Sequence, residues 1–574
     1  MRRPALASCL AVGWLVFCQS GLLSHSPPEP PALAADLILT NGHIWTVNRR
    51  QPEAESIAVW RDRILALGNT TDVLRLAGPH TRTIDARRRR IVPGFFDSHL
   101  HLLGGGLQLA RVNLKDAGDE AEFGRRLRDF DRNHGRDGWM LGGDWDHDRT
   151  FGGKLPSAEL LDRYVRDRPV YLRRYDGHMA VANSQAMKLA SITSQTVDPT
   201  GGVIDRREGS REPSGIFRDN AMALVDRVVP GASEAEIIEA VRQALAEIAR
   251  NGITSVQDMD GGTDASRRSL FRHYQHLARK GELTARIDLR WPLSEWNQLA
   301  RQGLESTFGD DWVRIGGVKG FADGSLGSST AKMYEPYSNQ AGNTGIFVTP
   351  REKLEEYIQA ADQAGISVAI HAIGDRANGD LLAIFADVEK RNERRDRRFR
   401  IEHAQHLRAQ DYARFHELDV VASMQPYHVV DDGRWAEGRI GPERCASSYA
   451  YRSLLDAGAR LAFGSDWPVA PLSPILGIDA AVNRRTLDGK NPQGWFPKQR
   501  ISVAEAIEAY TLSAAYAAFQ ERDRGSLEPG KLADFVVLSR DILDENERHH
   551  IADARVLLTA VSGKIVFQDP AMGK

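Results

Sequence analysis

The sequence predicts an α/β fold: a (β/α)8 TIM-like barrel with a large insertion after strand 1, plus a small β-sandwich built from both chain ends. Three observations predict it. Eight short apolar runs alternate with longer amphipathic stretches through the middle of the chain, the rhythm of parallel strands joined by helical crossovers. Both chain ends instead carry short strand-like runs and turn residues. The first apolar run lies about 150 residues before the second, several times a normal crossover.

The elements follow in order. Met1-Arg2-Arg3 precedes an apolar run over residues 5–17, a Pro-rich stretch at 26–31 and the A-x-A sequence Ala32-Leu33-Ala34. This reads as a signal peptide over residues 1–34, so the expected location is secreted or periplasmic. The alternative is a membrane anchor, because residues 5–23, left uncleaved, are nearly long enough to span a bilayer. No later segment is apolar enough to span. Strand-like runs around an Asn41-Gly42 turn look like those at 533–538 and 556–567. The expectation is a composite sandwich from residues 35–93 and 516–574. The barrel then occupies residues 94–515, with an inserted subdomain at about residues 104–240.

Barrel strands are expected at 95–101, 253–259, 285–291, 314–322, 366–371, 399–404, 419–425 and 460–465. Ser233-Glu-Ala-Glu236 opens the helical stretch at 233–251 with a capping box. Within the insert, 138–145 and 169–175 form runs of their own.

Composition narrows the function classes. The 574 residues exceed one ordinary core. With 42% hydrophobic and 26% charged residues, the chain has a globular composition. A formal net charge of −2 argues against a nucleic-acid partner. Cys9 and Cys18 fall in the expected signal, which leaves Cys445 alone and no intrachain disulfide. The arginine-rich runs 87–90 and 394–400 read as solvated faces or loops.

Chemistry concentrates at strand ends. His99 and His101 are two apart at the end of an apolar strand, so both imidazoles leave on one side. Each can offer a neutral nitrogen to one metal ion. His371, His403 and Asp466 end the fifth, sixth and eighth strands, and Lys319 sits in an otherwise apolar fourth strand. Strand ends converge in such barrels, so polar residues repeated there are poorly explained by packing. Zinc suits these nitrogen and oxygen donors, and manganese or iron would fit almost as well.

The motifs are Pro93-Gly-Phe-Phe-Asp-Ser-His-Leu-His101, Lys319-Gly-Phe-Ala-Asp-Gly-Ser-Leu-Gly327, His371-Ala-Ile-Gly-Asp-Arg-Ala-Asn378, Ile401-Glu-His-Ala-Gln405, Gly464-Ser-Asp-Trp-Pro468 and Gly525-Ser-Leu-Glu-Pro-Gly-Lys-Leu-Ala-Asp534. With these, the chain resembles the amidohydrolase superfamily of metal-dependent hydrolases, in the branch that includes N-substituted formamide deformylase. The resemblance runs from about residue 36 to the C-terminus. It implies that His99 and His101 hold one metal and that His371 and His403 hold a second or orient substrate. It also implies that Lys319 is a carboxylated bridge. The competing reading of Lys319 is a buried cation paired with Asp323 or Asp466.

The implied reaction is hydrolysis of a non-peptide carbon–nitrogen bond, in an amide or N-substituted formamide. Metal-activated hydroxide attacks, and Asp466 acts as metal ligand and general base. Alternatives are ester or lactone hydrolysis or decarboxylation at the same site, or an inactive barrel that only binds. Asp97, Asp146, His178, Asp375, Arg376 and His428 are expected to touch substrate or to orient ligands. Trp145, Trp467 and Trp495 are read as core packing, with an apolar substrate pocket as the alternative. The expected partner is a small molecule, and a homo-oligomer is compatible with the sequence.

Overall fold

The computed structural model describes residues 34–133, 138–174, 179–199, 202–260, 263–327 and 329–573. The expected signal peptide, but for Ala34, and His178 lie outside the described residues. No helix among the described residues is long and apolar enough to cross a membrane.

Eight parallel strands form the barrel: β1 (Phe95–Leu100), β2 (Ile253–Asp258), β3 (Arg286–Pro292), β4 (Val313–Phe321), β5 (Val368–Ala372), β6 (Arg400–His403), β7 (Val421–Met424) and β8 (Arg460–Phe463). They are neighbours in chain order. All six residues of β1 and of β2 are buried. Strands covered on both faces need no polar alternation, which is why these runs read as nearly continuous apolar segments. The seam between β8 and β1 closes just beyond the strand ends, where the Asp466 N–H donates to the His99 carbonyl at 2.7 Å. Gly464 permits this approach, because a Cβ there would lie 2.5 Å from the His99 nitrogen.

The insert forms its own six-stranded sheet, from Val112–Asn113 to Pro213–Asp219. Phe123, Leu127, Trp145 and Leu161 share a core there. The expected end of the insert, at about residue 240, falls within a helix. Helix Glu234–Arg250 opens on the expected capping box, but its stripe of Val241, Ala244, Leu245 and Ile248 belongs to the barrel core. It packs on helix Leu102–Leu109, and Gly106 brings the two close: a Cβ there would lie 2.2 Å from the Ala240 carbonyl oxygen.

Two sheets face each other beside the barrel. One takes four strands from the N-terminal segment. The other joins both chain ends, with Phe535, Val536 and Val537 pairing antiparallel with Pro93, Val92 and Ile91. Leu39 and Val59 from the first sheet meet Ile91, Phe535 and Leu558 from the second in one core. Helix Leu512–Ala517 stays with the barrel, its alanines packed on Phe96, Val421 and Ala462.

The arginine runs are only partly solvated. Arg90, Arg397, Arg398 and Arg400 are buried, and each finds a carboxylate. Arg90 Nε and Nη2 grip both oxygens of Asp541 at 2.6 Å, tying the two chain ends together. Arg397 meets Asp362, Arg398 meets Glu521 and Arg400 meets Glu402. Pairing is what makes a buried guanidinium tolerable, and these partners are invisible in a local charge count.

Candidate metal centre

The six residues expected at strand ends converge. His99, His403 and Asp466 each place a donor atom within 4.8 Å of the others. Asp466 Oδ1 lies 3.5 Å from His99 Nε2 and 3.2 Å from His101 Nε2. Lys319 Nζ is 3.5 Å from His99 Nε2. The His371 and His403 rings are 4.5 Å apart between centroids.

Backbone geometry aims two of these groups. His403 has φ 73° and Asp466 φ 60°, left-handed values that non-glycine residues rarely adopt. In an extended strand Glu402 and His403 would point oppositely. With the left-handed turn both face His99: the Glu402 Oε2 is 2.7 Å from its Nδ1, and the His403 ring centroid is 5.0 Å from its own. Strain of this kind persists where surrounding structure over-determines it, and it clusters at functional sites.

The protonation states suit a cation. Burial, with Lys319 nearby, pulls His99 down to about 4 and His371 down to about 3. Burial beside His371 holds His403 well below the imidazole range. For Asp466, burial raises the carboxyl, but hydrogen bonds from His101 and His428 outweigh it and hold the group well below the carboxylate range. For His101, burial pulls down, but Asp260 and Asp466 outweigh it and lift the ring to about 9. Neutral imidazoles and an ionised carboxylate are the ligating forms, so His99, His371, His403 and Asp466 stand ready to bind, whereas His101 must shed its proton as a cation enters.

These histidines make pH-dependent contributions of opposite sign to the stability of the metal-free protein. The folded-state values of His99, His371 and His403 lie below the ordinary 6.5. Their contribution is present above 6.5 and is lost as pH falls toward about 4 and 3. His101 has the opposite sign: its contribution is present below 6.5 and is lost as pH rises through about 9. In thermal melts of chelator-treated protein, His101→Asn should lose less stability between pH 7 and 10 than the native chain does, and an identical alkaline limb would contradict the His101 assignment.

Sequence reasoning missed the layer beneath. Glu402 accepts from His99 Nδ1 at 2.7 Å and from Arg400 Nε at 2.9 Å. Arg400 also donates to Gln257, and to the Ser98 carbonyl and Ser423 Oγ, both at 2.9 Å. Such a carboxylate fixes the tautomer and ring orientation of a ligand histidine. The available signal was Arg400 and Glu402, two apart on a buried strand and so on one face. Asp260, 3.6 Å from His101 Nδ1, was also missed.

The remaining expectations divide. His428 reaches the centre, its Nε2 3.2 Å from Asp466 Oδ2. Asp97 does not hold an imidazole: its Oδ1 accepts from the backbone N–H of His99 and of Ser465 at 3.1 and 3.0 Å. It pins the barrel seam instead. Asp375 accepts from the Tyr334 N–H at 2.9 Å, and Arg376 lies 3.7 Å from Asp380; neither partner belongs to the donor cluster. Asp146 lies 4.0 Å from Arg174 within the insert. Trp145, Trp467 and Trp495 are all buried. The Lys319 pairing with Asp323 or Asp466 is not found: among the described residues no carboxylate is within 4.0 Å of its Nζ. Asp323 is occupied by the backbone N–H groups of Lys332, Ile373 and Gly374 at 2.7, 3.0 and 2.8 Å.

Comparison with known proteins adds to this geometry. Residues 82–567 match the profile described as "Amidohydrolase family". The Arabidopsis thaliana protein LONG AFTER FAR-RED 3 is 42% identical over 555 residues, 96% of this chain and 94% of that protein. N-substituted formamide deformylase of Arthrobacter pascens is 24% identical over 548 residues, 93% of this chain and 98% of that enzyme. The crystal structure of an uncharacterized metal-dependent hydrolase from Pyrococcus horikoshii OT3 superposes with TM-score 0.74 at 29% identity, covering 89% of this chain and 99% of that one.

Proposed function

This chain belongs to the amidohydrolase family, and from that premise we propose a metal-dependent hydrolase of non-peptide carbon–nitrogen bonds. The observation that carries the reading is the donor cluster of His99, His403 and Asp466 at the ends of β1, β6 and β8. Its neutral nitrogens and ionised oxygen fit a divalent ion, zinc before manganese or iron. His99 and His101 would hold one ion with Asp466. His371 and His403 would hold a second. Lys319, as a carbamate, would add oxygen donors to the same centre. Burial lowers its ammonium to about 8, and the free amine adds carbon dioxide with loss of a proton.

A bound ion would supply Lewis-acid polarisation of the carbonyl and acidify a water toward neutral pH. The chain's own groups handle the protons. Asp466 accepts one from the attacking water and delivers it to the amine nitrogen as the carbon–nitrogen bond breaks. His428 holds Asp466 Oδ2, leaving Oδ1 toward His99 and His101. Glu402 keeps His99 Nε2 directed at the centre.

An N-substituted formamide leads as substrate, on the resemblance to the Arthrobacter pascens deformylase. Export, read from residues 1–34, is part of the same proposal. The test is release of amine from N-substituted formamides by metal-loaded protein, with matching esters run in parallel. Faster formamide hydrolysis is expected. Turnover of esters alone would overturn the carbon–nitrogen assignment.

A further inference from the structure

We infer that a cavity of about 200 Å³ opening beside Lys319 is the pocket for one uncharged apolar substituent of the substrate, a branched alkyl group or a single ring. This rests on the hydrolase reading above and adds to it the size and polarity of the group accepted.

The cavity lies where β2, β3 and β4 end. Met259, Trp291, Leu293, Phe321 and Tyr357 form its apolar walls. It adjoins the metal centre: Lys319 and Asp260 line it, and each also stands within 3.6 Å of a histidine of the centre. Phe321 forms the shared wall: its ring centroid lies 5.4 Å from that of His371 and 5.0 Å from Lys319 Nζ. The residue is nevertheless 39% exposed. A large aromatic ring left open beside a reaction centre is a surface awaiting an apolar group.

Size and charge narrow the occupant. Whole drug-sized ligands take roughly 300–1,000 Å³, so this volume suits one substituent. The Trp291 indole N–H is already bonded to Asp264 at 3.0 Å, so the residue offers only its ring. Asp260 is committed to His101 and to the Leu103 N–H at 2.8 Å. An anionic substituent would meet the Asp260 carboxylate. A cationic one would compete with His101 for it. Neither Trp145, Trp467 nor Trp495 lines this cavity.

Thr349 and Ser294 stand among the lining residues, half-buried and exposed respectively, so Thr349→Trp and Ser294→Trp should plug the cavity without disturbing the core. The experiment compares kcat/KM for N-cyclohexylformamide, N-methylformamide and N-(carboxymethyl)formamide, with cyclohexyl and methyl formate as the ester pair. Native protein should prefer cyclohexyl over methyl by roughly ten-fold or more, and the plugged variants should reduce this to within about two-fold. A preference seen only among esters would refute the carbon–nitrogen reading and leave the pocket standing. No size preference in either series, a preference for the carboxylate, or an unchanged ratio in both folded variants would refute the pocket. If neither series turns over, calorimetric binding of N-cyclohexylformamide decides: binding lost in Thr349→Trp supports the pocket, and equal binding or none to native protein refutes it.

Discussion

Asp466→Asn should lower kcat by about 10²–10⁴-fold, the range expected when a positioned proton carrier is removed. The substitution preserves volume and can still hydrogen-bond His428 at the present 3.2 Å contact. It removes the negative charge and the basic oxygen that faces His99 and His101. In the metal-free protein it also removes one of the two carboxylates that lift His101 to about 9, so the pH at which that ring loses its proton should fall there. The measurement is kcat at matched metal content, with the pH profile recorded. Full activity in Asp466→Asn would exclude Asp466 as the proton carrier.

Glu402→Gln should cost both stability and metal affinity. Glu402 and Arg400 are fully buried and face each other at 2.8 Å. Removing one charge of a buried pair leaves the other uncompensated, at a cost of about 3–5 kcal/mol. The amide also loses the charge-assisted bond to His99 Nδ1. Loss of such a partner weakens metal binding by roughly 10–100-fold. Urea denaturation and chelator competition read the two effects separately. In the double variant Arg400→Met/Glu402→Met most of the stability should return, because replacing both members of a buried pair is often near neutral. Metal affinity should not return. Joint recovery would show that Glu402 acts only through folding.

The histidines and Asp466 were legible because each follows an apolar run, and barrel strands bring such positions together whatever their separation in sequence. The same logic failed one residue away. Glu402 stands beside His403, yet its partner His99 is distant in the chain and Arg400 ends a run that looks solvated. A charge count cannot report burial, because burial depends on a carboxylate arriving from another strand. Asp97 misled for a related reason: its periodicity with His99 is real, but at the closing seam the nearest unsatisfied groups are backbone N–H donors. The sandwich was visible because both ends carry short β runs, and the pairing of Val536 with Val92 is where they meet. The expected end of the insert, at about residue 240, falls within helix Glu234–Arg250, whose apolar stripe joins the barrel core as an amphipathic crossover should.

The most direct test of the central claim is metal content, measured by mass spectrometry on native protein and on the double variant His99→Ala/His403→Ala after identical purification and zinc loading. Native protein should retain at least one equivalent per chain. The variant, still folded by circular dichroism, should retain almost none. Equal metal content in the two proteins would contradict a centre built at the ends of β1, β6 and β8.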